Sequence, residues 1–386
     1  MSSKSDLYPA AHFASGDSSD YCLVDTPRSR RLSQMERLTL LGGADLERAI
    51  EMFARQLSKP PPLGKISKID RDQITLAHSF YGSALWREQP HRFFVRPTQC
   101  PNVAETLIHG LRDGEVVDLE FASVYKPAHP AFLSTAARES ENATVHARWW
   151  RHSSTPRATM VAVHGWTMGD QRINSLAFLP GLFYGLGIDV VLVEMPYHGR
   201  RRPQSLGSEL VFPGADLIRT NEGLGQMISD LRELRMYLEN RGAQDIGSIG
   251  MSLGGYCSAL WAALDGLAFC IPIVPLVSMA DLSWKMLRET RSAPQLAKLG
   301  VTRMILRETF TVHWPLSYGP LLHPERAMIL AARDDAVVPP TQARDLWKHW
   351  GEPRIEWLHG GHDAHTRDGK AFGAIVDFLR GLKFVG

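Results

Sequence analysis

Residues 247–255 read GSIGMSLGG. An apolar run ends in Gly250, Ser252 follows two positions later, and Gly254 and Gly255 open a stretch of helix formers. Where a strand turns straight into a helix, side chains two positions either side of the central residue would collide with the neighbouring strand and helix, so glycine suits Gly250 and Gly254. The G-x-S-x-G spacing thus places the hydroxyl at the junction, with the serine in an unfavourable backbone conformation. Functional groups of parallel sheets collect at the carboxyl ends of strands, and a helix beginning at Leu253 aims its first N–H groups and its dipole at the same spot. The amide of Leu253 is therefore a candidate donor to an oxyanion. The same pattern also fits a plain glycine-rich turn, so its weight depends on what the rest of the chain supplies.

Outward from this turn, β-rich runs alternate with helical ones. VVDLEFASVY and ATVHARWWRH read as an opening antiparallel pair. ATMVAVHG, DVVLVEMP, GSIGMS, FCIPIVPLV, AMILAARDD and RIEWLHGG follow as a ladder of strands. NEGLGQMISDLRELRMYLEN and TQARDLWKHW carry helical apolar spacing between them. The alternation predicts an α/β fold with a mostly parallel central sheet and helices on both faces. We expect this domain to span 116–386, with 279–322 inserted between the sixth and seventh of these eight strands as a lid. Before it, 31–115 reads as a helical arm on the strength of stretches such as LERAIEMFARQL, and 1–30, rich in Ser, Ala, Gly and Asp, reads as a loose tail.

Three other strand ends supply the parts an acyl-transfer site needs, in the chain order Ser, Asp, His. MVAVHGWTMGD ends a strand with His164-Gly165-Trp166, an arrangement whose glycine lets the chain curl and point the Trp166 amide inward; Thr167 is the neighbouring candidate, and a simple turn into the next helix is the alternative. AMILAARDDAVVPP offers Asp334 and Asp335, and the D-x-V-V-P spacing favours Asp335, although paired aspartates in loops are often turn formers. RIEWLHGGHDAH presents His359, His362 and His365, and the two glycines before His362 favour it as the base that folds back over Ser252. A metal site built on H-x-x-H-x-x-H is the competing reading, but that spacing on a loop is not a usual zinc pattern.

Composition narrows the partners. Of 386 residues, 44% are hydrophobic and 22% charged, with a formal net charge of +2, which gives no electrostatic footprint for nucleic acid or an anionic membrane. Small substrates are the expectation, with no nucleic acid and no membrane partner, and with room left for a homo-oligomer. The four cysteines, Cys22, Cys100, Cys257 and Cys270, are widely spaced and read as reduced structural thiols. MSSKSDLYPAAHFASGDSSD has no sustained apolar core, and AFCIPIVPLV is too short and proline-broken to span a bilayer, so a cytoplasmic protein is expected.

Taken together, HGW at 164–166, GMSLGG at 250–255, DDAVVP at 334–339 and GGH at 360–362 resemble an α/β-hydrolase, over about Val116 to the C-terminus. EMPYHGRRRP at 194–203 is similar to a segment of esterase-like members and of the α/β-hydrolase domain-containing protein 18 family. The resemblance implies a serine esterase with a catalytic triad of Ser252, His362 and Asp335, an oxyanion hole of Trp166 and Leu253 amides, and no cofactor or metal. An amidase or peptidase with the same triad, a lipid-active hydrolase and a non-catalytic scaffold on this fold are the alternatives. Tyr197, His198 and the run Arg200 to Arg202 are candidates to line the pocket and meet an anionic group, against the alternative of a solvated basic loop. Trp284, Met286, Phe310 and Trp314 suit either an apolar substrate pocket or packing of the lid.

Overall fold

The computed structural model describes residues 71–386 apart from 155–157, 208–210, 290–292 and 368. The expected tail and the first part of the arm, 1–70, lie outside the described residues. One nine-stranded sheet organises the rest: β1 (Ala104–Leu111), β2 (Gly114–Ala122), β3 (Thr144–His152), β4 (Ala158–Val163), β5 (Ile188–Val193), β6 (Ile246–Met251), β7 (Cys270–Ile273), β8 (Met328–Ala332) and β9 (Arg354–Leu358). Their order is β1-β2-β3-β5-β4-β6-β7-β8-β9. β1, β2, β3 and β5 pair antiparallel, and from β5 to β9 every pairing is parallel.

Every residue of β4, β5, β6, β7 and β8 is buried, as a parallel sheet covered on both faces requires. The covering helices include α1 (Arg71–Tyr81), α2 (Gln171–Phe178), α3 (Leu217–Asn240), α4 (Leu253–Leu264), α5 (Met279–Glu289), α6 (Arg303–Phe310), α7 (Pro340–His349) and α8 (Lys370–Gly381). Strand order reverses around β4, with β5 on one side and β6 on the other, so the crevice at the carboxyl ends of these strands is the expected place for a site. Backbone strain marks the same end. Of the seven described non-glycine residues with positive φ, four (Thr167, Tyr197, Ser252 and Val274) follow β4, β5, β6 and β7 in turn.

Three expectations need correction. The arm read as helical to 115 contains β1, which pairs with β2 and extends the sheet by a ninth strand; its single bulge, between Leu107 and His109, disturbs the alternation that would have revealed it. FCIPIVPLV is a strand only over Cys270–Ile273, because Val274 turns to a φ of +39° and the chain leaves the sheet. Cys257 and Cys270 are free and buried, as read, but Cys100 is disulfide-bonded. No helix among the described residues is long and apolar enough to cross a membrane.

Helix α3 is buried on nearly all sides, its polar residues included. Glu222 accepts hydrogen bonds from the Tyr81 and Tyr125 hydroxyls and from the backbone N–H groups of Ala128 (2.8 Å) and His129 (2.9 Å). Arg232 donates to the Phe94 carbonyl at 2.6 Å and to the Asp265 carboxylate at 2.6 Å. These bonds hold the segment before β1, and the one after β2, onto the helix.

Candidate active site

Ser252 stands between β6 and α4 with φ +55° and ψ −112°, a conformation that costs on the order of 1–3 kcal/mol and persists only where its surroundings enforce it. They do so through the backbone. The Ser252 N–H donates to Ile273 at 2.9 Å, and its carbonyl accepts from Tyr256 at 3.0 Å and Leu276 at 3.1 Å. The flanking glycines are demanded by close approach. A Cβ on Gly254 would lie 1.9 Å from the Val163 carbonyl oxygen, and one on Gly250 would lie 2.2 Å from that of Gly254.

Leu253 is the first residue of α4, so its N–H has no intrahelical acceptor. On the neighbouring strand end, Gly165 lies beside the nucleophile, since a Cβ built on it would sit 3.6 Å from the Ser252 Cβ. His164, fully buried, fixes this loop: its Nδ1–H donates to the Gly165 carbonyl at 2.8 Å while its Nε2 accepts the Met195 N–H at 3.0 Å. A trans peptide sets N–H opposite C=O, so holding the Gly165 carbonyl sets the direction of the Trp166 N–H. That N–H has no acceptor among the described residues. Burial first, and the neighbouring His198 second, hold the His164 pKa down to about 3, so the ring is neutral and keeps both bonds.

Across the crevice, His362 donates from Nδ1 to Asp335 Oδ2 at 2.7 Å. The other carboxylate oxygen accepts the N–H groups of Val337 and Val338, each at 2.9 Å. Asp335 is 8% exposed, whereas Asp334 and His359 lie on the surface. The structure therefore joins Asp335 to His362 and leaves Asp334 and His359 outside the arrangement. Among the described residues the Ser252 hydroxyl makes no hydrogen bond, so the nucleophile is not seen joined to the base. Such contacts are often long in unliganded enzymes and tighten with substrate. His365 is buried, its ring nitrogens have no partner among the described residues, and burial lowers its pKa to about 3. Among the described residues no three His, Cys, Asp or Glu side chains are grouped to hold a metal ion.

The other named residues stand as follows. Tyr197 is buried with φ +62°; its N–H donates to Asn142 at 3.0 Å and its ring lies under the Arg219 guanidinium at 5.1 Å. His198 is buried against His164, donates from Nδ1 to the Pro196 carbonyl at 2.9 Å, and is held neutral, its pKa lowered by burial to about 4. Arg200 grips the buried Glu194 at 2.9 Å and reaches Glu120 at 3.3 Å. Arg201 is fully buried and pairs with the equally buried Asp230 at 2.7 Å. Arg200 and Arg201 thus form neither a solvated basic loop nor an open anion site, because carboxylates already occupy their guanidinium groups. A sequence shows the arginines but not these pairings, of which Glu120 comes from β2 and Asp230 from α3.

Two positioning residues had no signal in the sequence. Gln342 on α7 accepts the N–H groups of Val277 (2.7 Å) and Ser278 (2.8 Å), anchoring the chain as it passes Ser252. Lys285 on α5 donates from Nζ to the carbonyls of Ala336 and Val337, in the turn that presents Asp335. A cavity of about 430 Å³ also opens at the opposite end of the sheet. Of its polar side chains, Arg151 is engaged by Glu105 and Glu115, and His152 by Asp189.

Comparison with known proteins agrees with this architecture. Residues 103–286 match the family model described as Alpha/beta hydrolase domain containing 18, a stretch that holds Trp166 and Ser252 and ends before Asp335 and His362. The chain is 32% identical over 302 residues to the Mycobacterium tuberculosis protein named Uncharacterized protein Rv2627c, covering 75% of this chain and 70% of that one. Among solved structures, an acetyl xylan esterase from Paenibacillus sp. R4 matches with a TM-score of 0.54 at 13% identity, covering 86% of this chain and 99% of that one; at that identity the likeness is one of fold.

Proposed function

Because the chain belongs to the Alpha/beta hydrolase domain containing 18 family of the α/β-hydrolase superfamily, we propose that it is a serine hydrolase that cleaves carboxylic esters through an acyl-enzyme. One observation carries the reading. A strained serine at a helix N-terminus shares the crevice end of the sheet with a buried Asp335 bonded to the half-buried His362 at 2.7 Å. With the Nδ1 proton engaged by Asp335, His362 presents a proton-free Nε2, the atom needed to take the Ser252 proton as the hydroxyl attacks. The Trp166 and Leu253 amides stabilise the oxyanion, aided by the dipole of α4. His362 then protonates the leaving alcohol, and water hydrolyses the acyl-enzyme by the same route. These residues complete the cycle without a cofactor.

A fluorophosphonate probe compared on wild type and Ser252→Ala tests the assignment. Labelling lost in the variant supports Ser252 as nucleophile. Equal labelling of both proteins moves the nucleophile elsewhere, and absence from both removes the hydrolase reading.

A further inference from the structure

Ser252 and Asp335 stand on separate segments, and one stretch of chain is bonded to both. Leaving β7, it engages the serine backbone: the Ser252 N–H donates to the Ile273 carbonyl at 2.9 Å, and the Leu276 N–H donates to the Ser252 carbonyl at 3.1 Å. The same stretch then becomes α5 and meets the acid segment at two points. Gln342, near the start of α7, accepts the N–H groups of Val277 (2.7 Å) and Ser278 (2.8 Å) just before α5 begins. Lys285, within α5, donates from Nζ to the Ala336 carbonyl, and to that of Val337 at 3.3 Å. Arg303 and Arg307 of α6 brace α5 in turn, donating to Asp281 at 2.6 Å and 2.9 Å.

The carbonyls that Lys285 takes belong to two particular peptide groups. The Ala336 carbonyl shares a peptide plane with the Val337 N–H, and the Val337 carbonyl shares one with the Val338 N–H. Those two N–H groups are the ones that donate to Asp335 Oδ1, each at 2.9 Å. Both peptides are trans, so N–H and C=O point in opposite directions, and an ammonium that holds both carbonyls aims both N–H groups at the carboxylate. Chained hydrogen bonds also polarise one another, by about 10–30% per bond, which tightens the grip on Oδ1. With Oδ1 fixed, Oδ2 is left facing His362 Nδ1 at 2.7 Å.

One effect works the other way. A cation near the site disfavours the imidazolium that forms on His362, so loss of the charge alone would speed the reaction. The Lys285 side chain is 31% exposed and its ammonium lies 3.5 Å from Glu289, so solvent and a countercharge screen it. A charge in that setting moves a rate by about two- to fivefold. Misplacing the reacting groups by about 1 Å costs about 10²-fold. Orientation therefore outweighs charge.

We propose that Lys285 is a positioning residue of the catalytic triad, acting from the inserted helix α5 through the 336–338 peptides on Asp335 and so on His362; the proposal rests on the serine hydrolase reading. The insertion thereby contributes to the chemistry of the acid side.

The test uses the full chain, with the second-order rate of fluorophosphonate labelling at Ser252 and with kcat and kcat/KM on p-nitrophenyl acetate. Lys285→Met keeps the aliphatic stem and removes every donor; it is expected to lower the labelling rate, kcat and kcat/KM alike, by about tenfold. Lys285→Arg, which keeps charge and donors, is expected to stay within about threefold of wild type. In the Asp335→Asn background Lys285→Met is expected to slow labelling by less than about twofold, because the ring there carries the wrong tautomer however the turn is held. A Lys285→Met rate above wild type, or within about twofold of it, overturns the proposal, as does a raised KM at constant kcat. So does a further tenfold loss, roughly, in the Asp335→Asn background, which places the action of the lysine elsewhere. Should Lys285→Met fail to fold, Lys285→Ala takes its place. Labelling at Ser252 that is indifferent to Lys285 sinks this proposal alone, while a wild type that neither labels nor turns over ester sinks the hydrolase reading beneath it.

Discussion

Replacing Asp335 by asparagine is the sharpest test of the site, because the surrounding hydrogen bonds dictate which way the amide must face. Asp335 Oδ1 accepts two backbone N–H groups, from Val337 and Val338, and Oδ2 accepts one from His362. In Asp335→Asn only the carbonyl oxygen can sit opposite the two N–H donors; turning the NH₂ toward them would orphan both, at about 1–3 kcal/mol each. The NH₂ therefore faces His362 Nδ1, which must now accept. The imidazole proton moves to Nε2, and the ring can no longer take the Ser252 proton. A wrong tautomer in a Ser-His-Asp arrangement costs about ten-thousandfold in kcat, equivalent to about 5.5 kcal/mol of transition-state stabilisation. Stability should suffer far less, by about 1–3 kcal/mol, because the two backbone bonds survive and one charge-assisted bond is weakened. Initial rates on p-nitrophenyl acetate at neutral pH, alongside urea unfolding, measure both quantities. Asp334→Asn is the control, and its exposed side chain predicts a change within about twofold. An Asp335→Asn variant that retains kcat within about tenfold of wild type, or an Asp334→Asn variant that loses it, would refute the assignment.

His164→Phe removes the bond that holds the Gly165 carbonyl and orphans the Met195 N–H; kcat on p-nitrophenyl acetate should fall about 10²- to 10³-fold with KM little changed, as for loss of an oxyanion donor. Gly254→Ala drives a methyl into the Val163 carbonyl oxygen, 1.9 Å away, and should destabilise by about 3 kcal/mol or more in denaturant unfolding, whereas Gly266→Ala, with open space around it, should not. Glu233 has its pKa raised to about 8, chiefly by burial and then by the nearby Asp230 charge. A folded pKa above the unfolded value gives stability that is fully present below about pH 4.5 and is lost as pH rises through about 8. The stability difference between wild type and Glu233→Gln should therefore drift against wild type by up to about 1.4 kcal/mol per pH unit across that window. A difference that stays flat with pH would show that Glu233 does not carry the proton.

Much of the fold was legible because its signals are short-range. The apolar runs of β4 to β8 and the glycines around Ser252 reflect demands that act within a few residues: burial on both faces of a strand, and the absence of space for a Cβ. β1 was hidden by its bulge and by a preceding helical texture. Helix α3 was visible by its spacing, but not the burial of Glu222, Arg232 and Glu233, since polar residues read as solvent-facing until the groups that satisfy them are known.

By itself, then, the sequence determined the strand-to-helix turn at Ser252, the chain order of serine, acid and histidine motifs, and the α/β class, all of which follow from local backbone chemistry and periodicity. Only the tertiary structure decided that Asp335 and His362 touch while Asp334 and His359 face water, and that Arg200 and Arg201 are taken up by carboxylates of the chain's own. Those outcomes depend on distances between segments far apart in the chain, which sheet order and packing set and which no local pattern encodes.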